Sequence, residues 1–156
     1  MSGIRKSISE LVGNTPLLEL TNYEKNNNLE AQIIVKLEYF NPTLSIKDRI
    51  VLAMIEEAEN AGKLKKGYTI VETTSGNTGN SVAGIGAAKG YKVRIYMQDG
   101  VSFERTKAVK AFGADVINFL EVPELAQVLK ETNGDFFAVK RALEEILKNE
   151  EGIFFT

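Results

Sequence analysis

The chain has 156 residues, 44% of them hydrophobic and 26% charged, with 19 basic against 21 acidic side chains and a formal net charge of −2. That composition belongs to an ordinary globular protein of about one domain, and the near balance of charge gives no reason to expect a nucleic-acid or membrane surface. Histidine and cysteine are both absent, which excludes Ser-His-Asp and Cys-His nucleophilic sites and the common zinc sites; no metal is expected, and lysine, carboxylates and hydroxyls are left to carry any chemistry.

The opening MSGIRKSISELVGNT lacks the continuous apolar core of a signal peptide, and no run of about eighteen apolar residues occurs, so a cytoplasmic chain is expected. PLLEL and QIIVKLE read as short strands joined by the polar stretch EKNNNLEA, Glu24 to Ala31. Pro42 excludes helix just before it, and Ser45 followed by Asp48 has the spacing of a capping box. The helix that follows places Ile46, Ile50, Val51, Met54, Ile55 and Ala58 on one face and stops at Gly62. YTIVE then reads as a buried strand, TTSGNTG as a tight turn, and Thr78 to Lys89 as a helix so rich in Gly and Ala that it must pack closely against something. Gly90 closes that helix and YKVRIYM is the next strand. Ser102 caps a helix running to Phe112, Gly113 ends it, and DVINFL returns as a strand. After Pro123 come a short helix, a turn at Asn133-Gly134 and a longer helix from about Phe136 to Asn149. Alternating strands and helices imply an α/β fold with a parallel sheet and right-handed crossovers. The terminal EEGIFFT reads as the beginning of a strand; it either pairs at a sheet edge or marks the chain as the front part of something longer.

Two constellations carry chemistry. In VETTSGNTGNSVAG a strand, a turn with two glycines and a helix can present backbone N–H groups and a helix dipole to an anion. The stretch is not a Walker loop and does not fit G-x-G-x-x-G. Thr74, Ser75, Asn77 and Thr78 add three hydroxyls and an amide, a set suited to a carboxylate plus one further oxygen; the same residues would also make a good turn and N-cap. Lys47, in NPTLSIKDRI, stands at a helix start, where the dipole disfavours a cation by up to about 1 kcal/mol. A solvated surface lysine is one reading. The other is a nucleophile for a carbonyl: between Ile46 and Ile50, dipole and burial both favour a neutral amine or imine. Asp48 and Arg49 beside it read as a cap and a surface pair.

GNTPLLEL, KLEYFNPTLSIKDRI, ETTSGNTGNSVA and DGVSFERTKAVKAFGADV, in this order and at this spacing, resemble the cysteine synthase (O-acetylserine sulfhydrylase) family, within the β-family or fold type II pyridoxal-phosphate enzymes. The resemblance implies the smaller domain of a tryptophan-synthase-β-like fold, a parallel sheet with flanking helices in three layers, truncated. It implies pyridoxal 5'-phosphate as cofactor, with Lys47 as the catalytic residue that holds it as an internal aldimine and later takes the substrate α-proton. Asn77 matches the asparagine beside the cofactor's ring oxygen, and Thr74, Ser75, Gly76 and Thr78 match the loop that grips the substrate α-carboxylate. The implied reaction is β-replacement: O-acetyl-L-serine loses acetate to give an aminoacrylate, and sulfide adds to form L-cysteine.

Two local departures from the family pattern are visible, Gln98 where Pro is usual and Thr106 where Arg is usual; both are expected to tune packing. The larger one is length. Family members are about twice as long, and their second half supplies the glycine-rich loop for the cofactor phosphate and the group facing the pyridine nitrogen. Residues 1–156 are therefore expected to be one truncated region, with about 40–150 as the small α/β domain and segments 1–39 and 151–156 pairing with an absent larger domain. The family is typically homodimeric, so a complementing chain is a possible partner beside the small-molecule amino-acid substrate and sulfide. Alternatives kept open are a non-catalytic remnant or interaction domain, and a desulfhydrase (lyase), lanthionine-type or cystathionine β-synthase-type activity.

Overall fold

The structure is a computed structural model that describes residues 3–156. The chain enters through a 3-10 turn (Ile8–Leu11) and an antiparallel ribbon in which β1 (Leu17–Glu19) pairs with β2 (Ile34–Lys36), Leu17 opposite Lys36. Between them lies α1 (Thr21–Asn26), where the sequence suggests only a polar connection from Glu24 onward. Glu24 explains the difference: its N–H donates to the Leu20 carbonyl and its carboxylate accepts the Ile33 N–H, so one residue both closes the helical turn and returns the chain to β2. The two early strands thus pair with each other, while Leu17, Leu18 and Ile34 remain exposed.

Alternation then begins with α2 (Lys47–Asn60), β3 (Thr69–Thr73), α3 (Asn77–Ala88), β4 (Lys92–Met97), α4 (Phe103–Ala111), β5 (Asp115–Asn118), α5 (Pro123–Glu131), α6 (Phe136–Leu147) and β6 (Ile153–Phe155). The four later strands form one parallel sheet in the order β5-β4-β3-β6. Residues 153–155 join this sheet as β6, pairing at the edge of β3 as one of the two sequence readings has it. Ile153, Phe154 and Phe155 stand opposite Thr69, Ile70 and Val71, and the Thr156 N–H donates to the Val71 carbonyl. A strand whose apolar side chains alternate between two cores, Phe154 toward one and Phe155 toward the other, is stabilised by pairing at the edge of β3.

Side chains of β3 and β4 divide by parity into two cores, which makes the three layers. Ile70, Val93 and Ile95 pack with Val51 and Ile55 of α2, Val82 and Ile85 of α3 and Val109 of α4. Val71 and Tyr96 pack with Leu125 of α5 and Val139 and Leu143 of α6. Helix ends follow the turn chemistry in the sequence: Gly62, Gly90 and Gly113 all adopt positive φ after α2, α3 and α4, and the Asp135 carboxylate caps α6 by accepting the Phe137 N–H at 2.8 Å. Ile46 and Ile50, expected on the inner face of α2, are about half exposed (51% and 50%), because the helix turns Asp48, Val51, Ile55 and Ala58 inward instead.

The glycines of α3 set its distance from its neighbours. A Cβ built on Gly86 would lie 2.7 Å from Val93 Cγ2, and one on Gly84 would lie 2.7 Å from Thr43 Cγ2. In an open helix Gly→Ala gains up to about 1 kcal/mol; here that gain opposes overpacking worth about 1–3 kcal/mol. Gly86→Ala is therefore expected to lower the urea midpoint of unfolding, and an unchanged or raised midpoint would contradict the close approach of α3 to β4.

Candidate active site

Open parallel sheets bind ligands beyond the carboxyl ends of their strands, and both chemistry-bearing stretches converge there. β3 ends at Thr73 and α3 begins at Asn77, so Thr74, Ser75 and Gly76 form the turn between them. Thr74 anchors this turn at both ends: its N–H donates to the Tyr96 carbonyl at 3.1 Å, and its Oγ1 accepts the Gly76 N–H at 3.2 Å. No side chain caps α3, so the N-cap reading of these residues is not realised. The N–H groups of Ser75, Asn77 and Thr78 have no partner among the described residues, and the Asn77 side chain is exposed. Two buried polar atoms flank the turn without partners, Thr73 Oγ1 before it and Asn80 Oδ1 after it. Orphan donors and acceptors grouped this way need a ligand or solvent to satisfy them. From α4, Arg105 donates to the Ser75 carbonyl at 3.1 Å across a cleft of about 380 Å³ lined also by Gln98 and Ser102. One of the two departures, Gln98, thus borders the cleft beside the turn.

Lys47 opens α2 and is half-buried. Its Nζ has no hydrogen-bond or ion-pair partner among the described residues, and its neighbours Leu44, Ile46 and Ile50 are exposed apolar side chains. Its backbone is held firmly: the Lys47 N–H donates to Ser45 Oγ at 3.1 Å, and the Asp48 N–H to the Ser45 carbonyl. The second half of the expected capping box is replaced. Asp48 turns its carboxylate away from Ser45 and is fully buried, accepting the Thr43 N–H at 2.7 Å, the Thr43 hydroxyl, and the Ser81 hydroxyl of α3 at 2.6 Å. No direct hydrogen bond joins Lys47 to residues 74–78; the link runs through Asp48 and Ser81, whose Oγ also lies 3.1 Å from the Asn77 carbonyl. Sequence spacing alone missed this link, since nothing in it pairs position 48 with 81.

Arg49 is more than a surface pair. It donates to Glu38 at 2.9 Å, and Glu38 in turn accepts from the Asn41 side chain at 2.9 Å, while Asn41 Oδ1 receives the Gly13 N–H. The Arg49 hydrogen bond, against some burial and aided by Asn41 and the nearby charges, holds the Glu38 carboxyl below its ordinary range. This network fixes the segment that leads into Lys47.

At the other edge of the turn, burial pushes the Glu72 carboxyl up, against downward pulls from the Thr156 hydroxyl, the Lys140 charge and the Thr73 N–H. Among the described residues no cluster of His, Cys, Asp and Glu could hold a metal, and no helix is long and apolar enough to cross a membrane.

A family model described as pyridoxal-phosphate dependent enzyme matches residues 8–156. A cysteine synthase of Staphylococcus aureus is 45% identical over 148 residues, which are 95% of this chain and 43% of that protein. The solved structure of a cysteine synthase from Entamoeba histolytica superposes with a TM-score of 0.80 at 35% identity, covering 99% of this chain and 43% of that one. A hydrogen sulfide-producing enzyme from Fusobacterium nucleatum does so with a TM-score of 0.78 at 40% identity, covering 99% and 46%. The chain thus spans less than half the length of the relatives it matches.

The raised Glu72 gives a pH test. A carboxyl whose folded value lies above its unfolded one stabilises the fold below the unfolded value, and that contribution is lost as pH rises through the folded value. Glu72→Gln should therefore gain melting temperature over the unsubstituted chain at pH 8 relative to the same comparison at pH 4. A difference that is equal at both pH values, or opposite in sign, would count against a buried, reluctantly ionised Glu72.

Proposed function

Because the chain belongs to the family of pyridoxal-phosphate dependent enzymes and is a homologue of cysteine synthases, we propose that it carries the lysine and the substrate loop of a cysteine synthase-like β-replacement site. The observation that carries this reading is the pairing of an unpartnered, half-buried Lys47 amine with an uncapped α3 turn at the same edge of the sheet. The residues present fit part of pyridoxal 5'-phosphate. Lys47 Nζ is free to hold the aldehyde carbon, and the Asn77 amide is exposed and available to the ring oxygen. When bound, the cofactor supplies an electron sink for the substrate carbanion.

The protein's own part is positional and acid–base. Ser75, Asn77 and Thr78 offer backbone N–H groups, with the hydroxyls of Thr74, Ser75 and Thr78, to the α-carboxylate of an amino acid, and Gly76 keeps the approach open. Lys47 Nζ takes the α-proton, acetate leaves from the β-carbon of O-acetyl-L-serine, hydrosulfide adds there, and the Lys47 ammonium returns the proton to the α-carbon, giving L-cysteine and acetate. Residues 40–150 serve as the small domain, and the exposed ribbon Leu17, Leu18 and Ile34 meets the larger one in a cytoplasmic homodimer or a complementing chain.

Two further readings have observations behind them. The likeness to a hydrogen sulfide-producing enzyme supports a desulfhydrase with cysteine as the β-substituted substrate, and lanthionine- or cystathionine-type condensation uses the same loop. The exposed apolar ribbon supports a non-catalytic interaction domain. Turnover rates with O-acetylserine plus sulfide against cysteine alone separate the first two.

A phosphate gripped by backbone N–H groups gains roughly 1.5–3 kcal/mol per charge-assisted bond, and residues 1–156 hold no glycine-rich loop beyond the one assigned to the carboxylate. The 156-residue chain is accordingly expected to bind the cofactor weakly and to form little cysteine. Borohydride reduction with pyridoxal 5'-phosphate should still leave a phosphopyridoxyl adduct at Lys47, lost in Lys47→Ala. Adducts spread evenly over the exposed lysines would sink the site assignment, and turnover at ordinary enzyme rates by this chain alone would sink the claim of weak binding.

A further inference from the structure

We propose that Asp48 and Ser81 are positioning residues: their buried hydrogen bond sets the Lys47 amine in register with the Asn77 turn. The inference rests on the site reading above, but its structural content is separate. A fully buried carboxylate is costly unless its charge is met. Asp48 has no ion-pair partner within 4 Å among the described residues, and what meets its charge is three donors, the Thr43 N–H, the Thr43 hydroxyl and the Ser81 hydroxyl. Two of these lie in the segment that leads into Lys47, and the third lies on α3. The carboxylate therefore cannot be satisfied unless the start of α2 and the first turns of α3 are held at one separation.

Ser81 is equally buried, and its Oγ contacts the Asn77 carbonyl at 3.1 Å as well as Asp48. The chain is thus Lys47, Asp48, Ser81, Asn77: a peptide link, the Asp48–Ser81 hydrogen bond, and one turn of α3 between Ser81 and Asn77. Thr43 locks it laterally, since its methyl packs where a Cβ on Gly84 would stand and its Oγ1 lies 3.0 Å from Ser81 Oγ. A residue whose role was only to stabilise the core would not need to bridge the two segments that carry the amine and the anion turn. Such a bridge restricts how far they drift, and small misplacements of reacting groups are expensive.

The test uses the 156-residue chain with Ser81→Ala, Ser81→Thr and Asp48→Asn. Pyridoxal 5'-phosphate followed by borohydride, with peptide mass mapping, gives the ratio of modification at Lys47 to that at an exposed lysine such as Lys66. The ratio should fall about fivefold in Ser81→Ala and about tenfold in Asp48→Asn, the loss of one or more hydrogen bonds to a charged group, and recover in Ser81→Thr. A drop in melting temperature with an unchanged ratio would assign the pair to stability alone and overturn the proposal. Amide hydrogen exchange provides a readout independent of cofactor. Ser81→Ala should speed exchange together at Asp48 and Gly79, whose N–H groups bond to Ser45 and Gly76, while exchange in β4 stays slow. Acceleration at Gly79 without Asp48 would overturn the coupling. Absence of any Lys47 preference in the unsubstituted chain would instead overturn the site reading and leave the exchange result to decide the bridge.

Discussion

The closeness with which α3 lies on its surroundings is the constraint from which the rest of the site follows. Gly79, Gly84 and Gly86 remove side chains where Thr74, Thr43 and Val93 respectively press against the helix. Each glycine lowers helix propensity by up to about 1 kcal/mol, and the return is contact: Ser81 to Ala83, Ile85 and the three glycines are all buried in one short helix. At a wider separation the Ser81 hydroxyl would not reach Asp48, and the Asp48 charge would lose its only donor, among the described residues, from outside its own loop. Packing and polar satisfaction are therefore one condition here, met together or not at all.

That condition joins two pieces of chain that are far apart in sequence but begin at the same edge of the sheet. In a parallel α/β unit every helix preceding a strand starts near the carboxyl ends of its neighbours, so α2 and α3 both aim their amino ends at the site. The topology delivers two helix dipoles to one place. α3 keeps its first turn uncapped, with the Asn77 and Thr78 N–H groups unpartnered among the described residues. α2 spends its own differently: Ser45 Oγ takes the Lys47 N–H, and the Asp48 carboxylate sits in its first turn, where negative charge is favoured.

Most of this fold was legible from local pattern because its elements are regular and their ends are marked by residues with one conformational use. The glycines after α2, α3 and α4, and the Asn133-Gly134 turn before α6, located the helices to within a residue or two at most ends. The Gly- and Ala-rich composition of α3 announced close packing without saying against what. Longer-range facts were not legible. The pairing of β1 with β2 depends on which edges remain free in space, and the edge pairing of β6 was only one of two readings the sequence allowed. Asp48 was misread for a related reason: its spacing from Ser45 matches a local cap, but an acceptor goes to whichever donors can satisfy it fully once buried, and those were Thr43 and Ser81. Lys47 and the TTSGNTG turn were visible from residue type; the bridge between them was not.

The placement of Lys47 then makes physical sense without treating it as an error of charge. A cation at the first helical position is penalised by the dipole, by up to about 1 kcal/mol, and its immediate neighbour Asp48 offsets part of that field with a carboxylate that cannot swing away to pair with Nζ, because it is buried and fully engaged. Arg49, the next residue, is occupied by Glu38. Asp48 and Glu38 are thus both committed to structural partners, and the Lys47 amine has no partner among the described residues. Its sequence neighbours Leu44, Ile46 and Ile50 are exposed apolar residues that offer no acceptor to the amine. An amine that is fixed at its backbone, half-buried and without a partner among the described residues is not spent on a surface salt bridge.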